Sequence, residues 1–485
     1  MSALGLAMFA LALAGIVLSG VPVYAVLLFV SAVFAAAGVA MGAVDASLLT
    51  ALPFRIVGLL EHDLLQALPL YAFIGALLNR LPLAHTLHRT ATHLFRRLAA
   101  APRLSALGVA ALLAPMNGSV GASLHMLSRS VAPAMRRAGT SADDTAATLC
   151  VASTLGVVIP PSLVLLLLGD AMMRAHTEAV NATHAAVRIV NTQDVVRAAF
   201  APGLAVLAGT WLLALWAGRR SAQPRTSNGS SDETPVASPT RDERWTSVIV
   251  AAAIVTLLVG VAIGWFYAVE AAAMGGIALL VVALARRQLP WRVMQLVLGD
   301  TMALTGALFA LLVAATTFSL VLRAFGTDRL IADALQLLAP HPTVLLLAVL
   351  AGIALCSFVL DAFEMIFLVI PLVMPPVLMS VTDAAWVAAL VLLVLQLGFL
   401  LPPVGYALVM SRALLDDPVS LRALVRKLWP QWLLQAALIV GVLAWPASTR
   451  FTREDAAAAS DAAPDAAEID RRMEEAIRAQ QAAPK

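Results

Sequence analysis

The chain has 485 residues, 61% hydrophobic and 13% charged, with a formal net charge of +3 and a mean hydropathy of +0.89. An ordinary soluble domain carries about 25% charge, so this balance excludes a water-soluble globular protein, and a small net charge with no basic stripe excludes nucleic acid as a partner. Cys150 and Cys356, the two cysteines, both lie in apolar stretches, which argues against a disulfide scaffold or a thiolate metal centre.

Apolar runs follow one another along the chain at 2–40, 104–128, 145–169, 198–217, 246–264, 267–285, 301–322, 343–380, 384–410 and 431–446. Spans need about 20 residues each, so some runs hold one helix and some hold two. The first run has no basic n-region and no small-residue cleavage site, and reads as a retained helix. His85, His88 and His93 follow the stretch that ends at Asn79, and read as part of a basic amphipathic helix on the inner surface. Asn79 itself serves equally as a helix cap or a site residue.

Arg80, Arg89, Arg96, Arg97 and Arg103 precede 104–128, and Arg129, Arg136 and Arg137 follow it. The positive-inside rule puts both flanks in the cytoplasm, so this run predicts a re-entrant helical hairpin with its tip near Asn117-Gly118-Ser119. Segment 145–169 then crosses outward, 171–195 is expected as an outside loop, and 196–217 returns. The 218–244 stretch, with five arginines among Ser, Pro, Asn and Asp, reads as a cytoplasmic linker. Helices over 246–264 and 267–285 follow, Glu270 being expected at a helix N-terminus. The 301–322 segment crosses outward, 343–380 predicts a second hairpin broken at Asp361, and 384–410 and 431–446 complete the plan. These runs divide the chain into a first transmembrane repeat (1–217), the linker, a second repeat (245–448) and an Ala-, Glu- and Arg-rich soluble tail (449–485).

One phrase occurs twice: Leu155-Gly156-Val157-Val158-Ile159-Pro160-Pro161 and Leu397-Gly398-Phe399-Leu400-Leu401-Pro402-Pro403. Proline removes a backbone donor and clashes with the preceding turn, so each copy is expected to break its helix and leave backbone groups without intrahelical partners. Within a bilayer such backbone is tolerated only inside protein or beside a polar cavity. The copies start 242 residues apart, and the hairpin points Asn117 and Asp361 are 244 apart, which argues for an inverted repeat with a binding site at the paired breaks.

A monovalent cation such as sodium needs about five or six oxygens, which broken helices and small polar side chains supply. In the first repeat Ser119 and Ser123 at the hairpin tip are expected to approach Ser153, Thr154 and Gly156. In the second, Asp361 is expected to approach Gln396, Gly398 and the bare carbonyls before Pro402-Pro403. An ionisable group inside a membrane segment is a functional hypothesis by default, here weighed against snorkelling or pairing with a basic residue. The Asn-Gly-Ser tip is also explicable as a tight turn alone. Substrate contacts are expected from Asn117, Gly118, Ser119, Asp361 and Gly405. Serines near the breaks lack His and Asp partners, and neither a HExxH motif nor a paired acid cluster is present, so no enzymatic activity is expected.

From Gly20 to Trp445 the motifs Gly20-Val21-Pro22-Val23, Leu68-Pro69-Leu70, Gly75-Ala76-Leu77-Leu78-Asn79, Asn117-Gly118-Ser119, Pro133-Ala134-Met135, Ile159-Pro160-Pro161-Ser162, Glu270-Ala271-Ala272-Ala273, Leu360-Asp361 and Pro402-Pro403-Val404-Gly405 resemble the large membrane subunit of tripartite ATP-independent periplasmic (TRAP) transporters. The resemblance implies an all-α polytopic membrane protein with inverted repeats, two re-entrant hairpins and broken helices, working as an elevator-type symporter in a bacterial inner membrane. It implies sodium as the coupling ion, with no covalently bound cofactor, and an organic anion, commonly a carboxylate, as substrate. It also implies two protein partners, a periplasmic substrate-binding protein and a small four-helix membrane subunit. The chain departs from the family pattern in reading Asn117 where Ser is usual, Asp361-Ala362-Phe363 where Asp-Pro-Thr is usual, and Leu401 where Thr is usual, so the second cation site is expected to lean on Asp361 and backbone. A carrier or exchanger of the same superfamily without a binding protein is the alternative reading.

Overall fold

The computed structural model describes residues 2–449 apart from 43, 46, 61–62, 118, 161, 184–189, 221–238 and 416–418. Gly118, most of the expected linker and nearly all of the expected tail therefore lie outside the described residues. Among those described, regular structure is entirely helical. Gly20, in the left-handed conformation at φ 65°, and Pro22 divide the first apolar run into α1 (Ser2–Ser19) and α2 (Val23–Ala40). Next come α3 (Ser47–Leu60) and α4 (Asp63–Arg80), and then α5 (Leu83–Leu94), which bends away from α4 by 66°. One face of α5 buries Leu83, Ala84, Leu87 and His88. His88 is thus a buried residue rather than a surface one, because it falls on the apolar stripe at helical spacing from Ala84.

The first hairpin is α6 (Ala101–Asn117) and α7 (Val120–Ser130), joined around Ser119 and followed by the short α8 (Ala132–Arg137). Then α9 (Ala142–Val158), capped by Ser141, gives way at Ile159–Ser162 to α10 (Leu163–Thr183), the two axes differing by 42°. The expected outside loop at 171–195 is therefore corrected: its first half is helix. Its charges are compatible with one because Asp170 and Arg174 pair one turn apart at 3.0 Å, while Met172, Ala175, His176 and Ala179 form a buried stripe. The first half ends with α11 (Thr192–Arg220).

In the second half, α12 (Arg241–Ile263) opens on a Thr240–Glu243 capping box and stops at Gly264, φ 89°. In α13 (Ala268–Ala285) the Glu270 carboxylate accepts a bond from Tyr267 N at 3.0 Å, the helix-start role expected from sequence. The 34-residue α14 (Trp291–Ala324) is about 51 Å long, enough to cross a hydrocarbon core of about 30 Å with turns to spare. An amphipathic α15 (Thr327–Gln336) comes next, and the second hairpin pairs α16 (Pro342–Cys356) with a helix that begins as α17 (Ala362–Glu364), widens into a π turn over Met365–Val369 and continues as α18 (Ile370–Ser380). Finally α19 (Ala384–Gly398) breaks before α20 (Tyr406–Leu414), and α21 (Leu421–Ala444) closes the fold. Six described helices are long and apolar enough to cross a membrane, or eight counting each bent pair as one span.

The two halves correspond element by element at nearly the offset of the repeated phrase, with α2 facing α13 in order, α5 facing α15, α6–α7 facing α16–α18, and α9 facing α19. Helices α1–α4 pack with α12–α15, and α6–α11 pack with α16–α21. The two groups meet where α4 touches α6 and α10, where α12 touches α6 and α11, where α14 touches the π turn, and where α15 touches α18.

Candidate functional site

Each repeated Gly is the point where a broken helix is met by its own hairpin. A Cβ on Gly156 would sit 2.5 Å from Ala114 O, near the end of α6, and one on Gly398 would collide with Ser357 Oγ, just beyond the end of α16. Only glycine permits that approach. The two copies also meet each other: Gln396 Nε2 reaches Thr154 Oγ1 at 3.5 Å, joining residues 242 apart, each immediately before its Leu-Gly pair. The contact therefore joins equivalent positions of the two phrases, and Gln396, expected beside Asp361, bonds instead to the first half of the chain.

Ser153 and Thr154 are buried in α9 and donate to Cys150 O and Val151 O, both at 2.9 Å, leaving lone pairs on each hydroxyl. Ser119 caps α7, its Oγ accepting from Ala122 N at 3.5 Å, and Asn117 is the last residue of α6. Among the buried side-chain oxygens without a hydrogen-bond partner, three belong to the hairpins and the paired breaks: Ser123 Oγ in the first hairpin, Asp361 Oδ1 at the tip of the second, and Gln396 Oε1 between the repeats. Asp361 forms no ion pair among the described residues. Its amide donates to Glu364 Oε2 at 2.9 Å, so the two acids close a capping box that starts the helix of the second hairpin.

The second break is not bare backbone. Leu397 O, Gly398 O and Leu401 O accept from Leu400 N, Leu401 N and Gly405 N, Phe399 O accepts from Ala407 N, and Leu400 O accepts from the Trp432 indole at 2.9 Å. The expectation of free carbonyls there is corrected, since the chain folds back on itself once it leaves α19; each carbonyl still keeps a second lone pair. Gly405 makes this fold possible, because a Cβ on it would lie 2.5 Å from Leu401 O and 2.7 Å from Phe399 O. Ser162 ends the first break by capping α10, accepting from Leu165 N at 3.0 Å.

Tyr406 has no sequence signature, yet it stands at the centre of the arrangement. Its hydroxyl would lie 2.8 Å from a Cβ on Gly121 in the first turn of α7, and it is within electrostatic range of Asp361 and Glu364. Tyr406 opens α20 and lies against the first turn of α7, while the nearby acids start the inner helix of the second hairpin, so three helix N-termini, each a positive dipole end, lie about it. The only advance signal was position: Tyr406 follows Gly405, the first glycine after the second Pro-Pro pair.

The sequence pattern of the tripartite ATP-independent periplasmic transporter DctM component matches residues 8–448. The chain belongs to that family. The family is one of transporter permeases rather than enzymes. It is 21% identical over 360 residues to the sialic acid TRAP transporter permease protein SiaT of Haemophilus influenzae (strain 86-028NP), a match covering 73% of this chain and 54% of that protein, so the chain spans about half the length of this relative. In fold it resembles the Alcanivorax borkumensis YdaH transporter, described as having an unusual topology, with a TM-score of 0.57, 17% identity and coverage of 83% and 89% of the two chains. It also resembles Neisseria gonorrhoeae MtrF, with a TM-score of 0.53, 11% identity and coverage of 82% and 83%.

Proposed function

We propose that this DctM component imports an organic anion, a carboxylate, with co-transport of sodium across the inner (cytoplasmic) membrane, after a periplasmic binding protein delivers the substrate and with a small four-helix membrane subunit bracing α1–α4 and α12–α15. The observation that carries the reading is the convergence of helix N-termini on Tyr406 beside a carboxylate, Asp361, with no basic partner among the described residues. Positive dipole ends favour an anion, whereas an unbalanced acid beside that anion requires a cation. Sodium fits the oxygens available: Ser119, Ser153, Thr154 and the backbone at Gly156 in the first repeat, and Asp361 with the backbone at Gly398 in the second, Gln396 lying between them. The substrate carboxylate lies between the hairpin tips, against Asn117, Gly118, Ser119 and Gly405. Binding of both orders the hairpins, and α6–α11 with α16–α21 then move as one block against the other helices, in an elevator motion.

The test is uptake of a panel of labelled mono- and dicarboxylates into proteoliposomes holding this chain, its small subunit and its binding protein. An inward sodium gradient is expected to raise uptake at least about tenfold, and Asp361→Ala to remove that gain. Uptake indifferent to the gradient overturns the coupling, and wild-type uptake by Asp361→Ala overturns the site.

A further inference from the structure

A cavity of about 280 Å³ lies well away from the hairpin tips, where α6, α9, α11 and α21 meet near their cytoplasmic ends. A water molecule takes about 30 Å³ of liquid, so the space suits a polar group of several heavy atoms rather than a single solvent molecule. Its lining has three cations, Arg103, Arg426 and Lys427, against one carboxylate, Asp144. That carboxylate is already engaged: Lys427 Nζ lies 2.8 Å from its Oδ1, Arg103 Nη2 lies 2.8 Å from its Oδ2, and Ser141 Oγ donates to Oδ2 at 2.9 Å. Arg426 makes no ion pair among the described residues, so the wall carries a surplus of positive charge.

The two helices flanking this wall run in opposite directions and present the same order of side chains. From its basic cytoplasmic end inward, α11 exposes Trp216 and then, one turn on, Leu212; α21 exposes Trp429 and then Leu433. Tryptophan favours the headgroup level of a bilayer and leucine its hydrocarbon, so a cationic cavity opens onto a track suited to acyl chains. A basic pocket between helices on the cytoplasmic side, continuous with such a track, is the chemistry that recognises an acidic lipid.

We propose that this cavity binds the phosphate headgroup of an acidic phospholipid of the cytoplasmic leaflet, with Arg426 as its principal contact, Lys427 as its second, and the acyl chains lying along the Trp216–Leu212 and Trp429–Leu433 faces. The lipid ties the base of the first hairpin, through α6, to the two outer helices of the same block. It therefore travels with that block.

The purified full-length protein is titrated with phosphatidylglycerol or phosphatidylcholine bearing brominated acyl chains, and quenching of tryptophan fluorescence is followed. Quenching is expected at lower concentration with phosphatidylglycerol. Arg426→Gln is expected to weaken that preference about tenfold, and Trp216→Phe with Trp429→Phe to remove most of the lipid-specific quenching. Thermal unfolding in phosphatidylcholine verifies that each variant is folded. Equal response to the two lipids, an unchanged preference in Arg426→Gln, or displacement of the brominated lipid by millimolar inorganic phosphate overturns the proposal, the last by making the site one for a soluble anion.

Discussion

The Leu-Gly pair can be tested by adding one methyl group. In Gly156→Ala the new Cβ would lie 2.5 Å from Ala114 O and 2.6 Å from Ala114 C, where ordinary contact begins at 3.4 Å. The obstacle is backbone, not a side-chain end that can rotate, so the first hairpin must retreat by roughly 1 Å. Overpacking of this kind costs about 1–3 kcal/mol, partly offset by the 0.5–1 kcal/mol that alanine gains over glycine in a helix. The expected net loss is about 1–2 kcal/mol in stability, while uptake falls at least about tenfold because the displaced element carries the hairpin tip. Gly352→Ala is the matched control, since a Cβ there meets nothing within 4 Å, and it should keep full uptake and unfold at the same temperature or slightly higher. Thermal unfolding in detergent and proteoliposome uptake, measured on both variants, decide the matter. Wild-type uptake in Gly156→Ala would refute the claim that the glycine exists to admit the hairpin.

Gly398→Ala should impair uptake in the same direction but less than Gly156→Ala, since its Cβ would strike the Ser357 side chain of the other hairpin rather than backbone; the same two assays compare them. Asp144→Asn strands Arg103 and Lys427, whose carboxylate partner has a side chain only 15% exposed, and should lower unfolding stability by about 2 kcal/mol in denaturant titration, discounted from the 3–5 kcal/mol of a fully buried pair for the exposure of Lys427. The Arg323–Glu178 pair joins α14 to α10 at 3.2 Å, but its side chains are 39% and 50% exposed, so a double-mutant cycle should return a coupling below about 1 kcal/mol that fades in high salt.

What the sequence revealed, and what it hid, follows from how each feature is encoded. A broken helix needs Gly and Pro, residues whose backbone chemistry acts locally, so both breaks were legible from seven-residue phrases. The close approach at Gly156 and Gly398 is legible only as a repeated glycine, because the atoms that forbid a side chain belong to α6 and to the end of α16, more than 40 residues earlier. The run 171–183 is charged and yet half buried, so its charge does not mark exposure. In the fold Asp170 and Arg174 satisfy each other on one side of α10 while the other side is buried, and composition averaged over a window cannot separate the two faces. The α15 helix escaped notice for a related reason, since ten amphipathic residues present no apolar run.

The candidate site shows the same division. Asp361 was legible because an acid in an apolar segment is anomalous by itself, and Ser153 and Thr154 because they adjoin a break. Tyr406 was not, since an aromatic residue in a membrane helix is unremarkable until the second break turns it toward Gly121 and the acids of the other hairpin. The break supplies that turn by satisfying its own carbonyls, through Gly405, Ala407 and Trp432, and a segment so bonded holds its shape. This alters the expected contrast between the two repeats. The second lacks the hydroxyls usual in the family at Phe363 and Leu401, yet its backbone is held by hydrogen bonds from Gly405, Ala407 and the Trp432 indole. A carbonyl cradle already ordered in the folded chain binds a small cation at less cost than a flexible one, because the ordering has been met in folding. The loss of hydroxyls in the second repeat is thus compatible with a working cation site, whereas cutting the Trp432 indole bond with Trp432→Phe should loosen that site before it unfolds the protein.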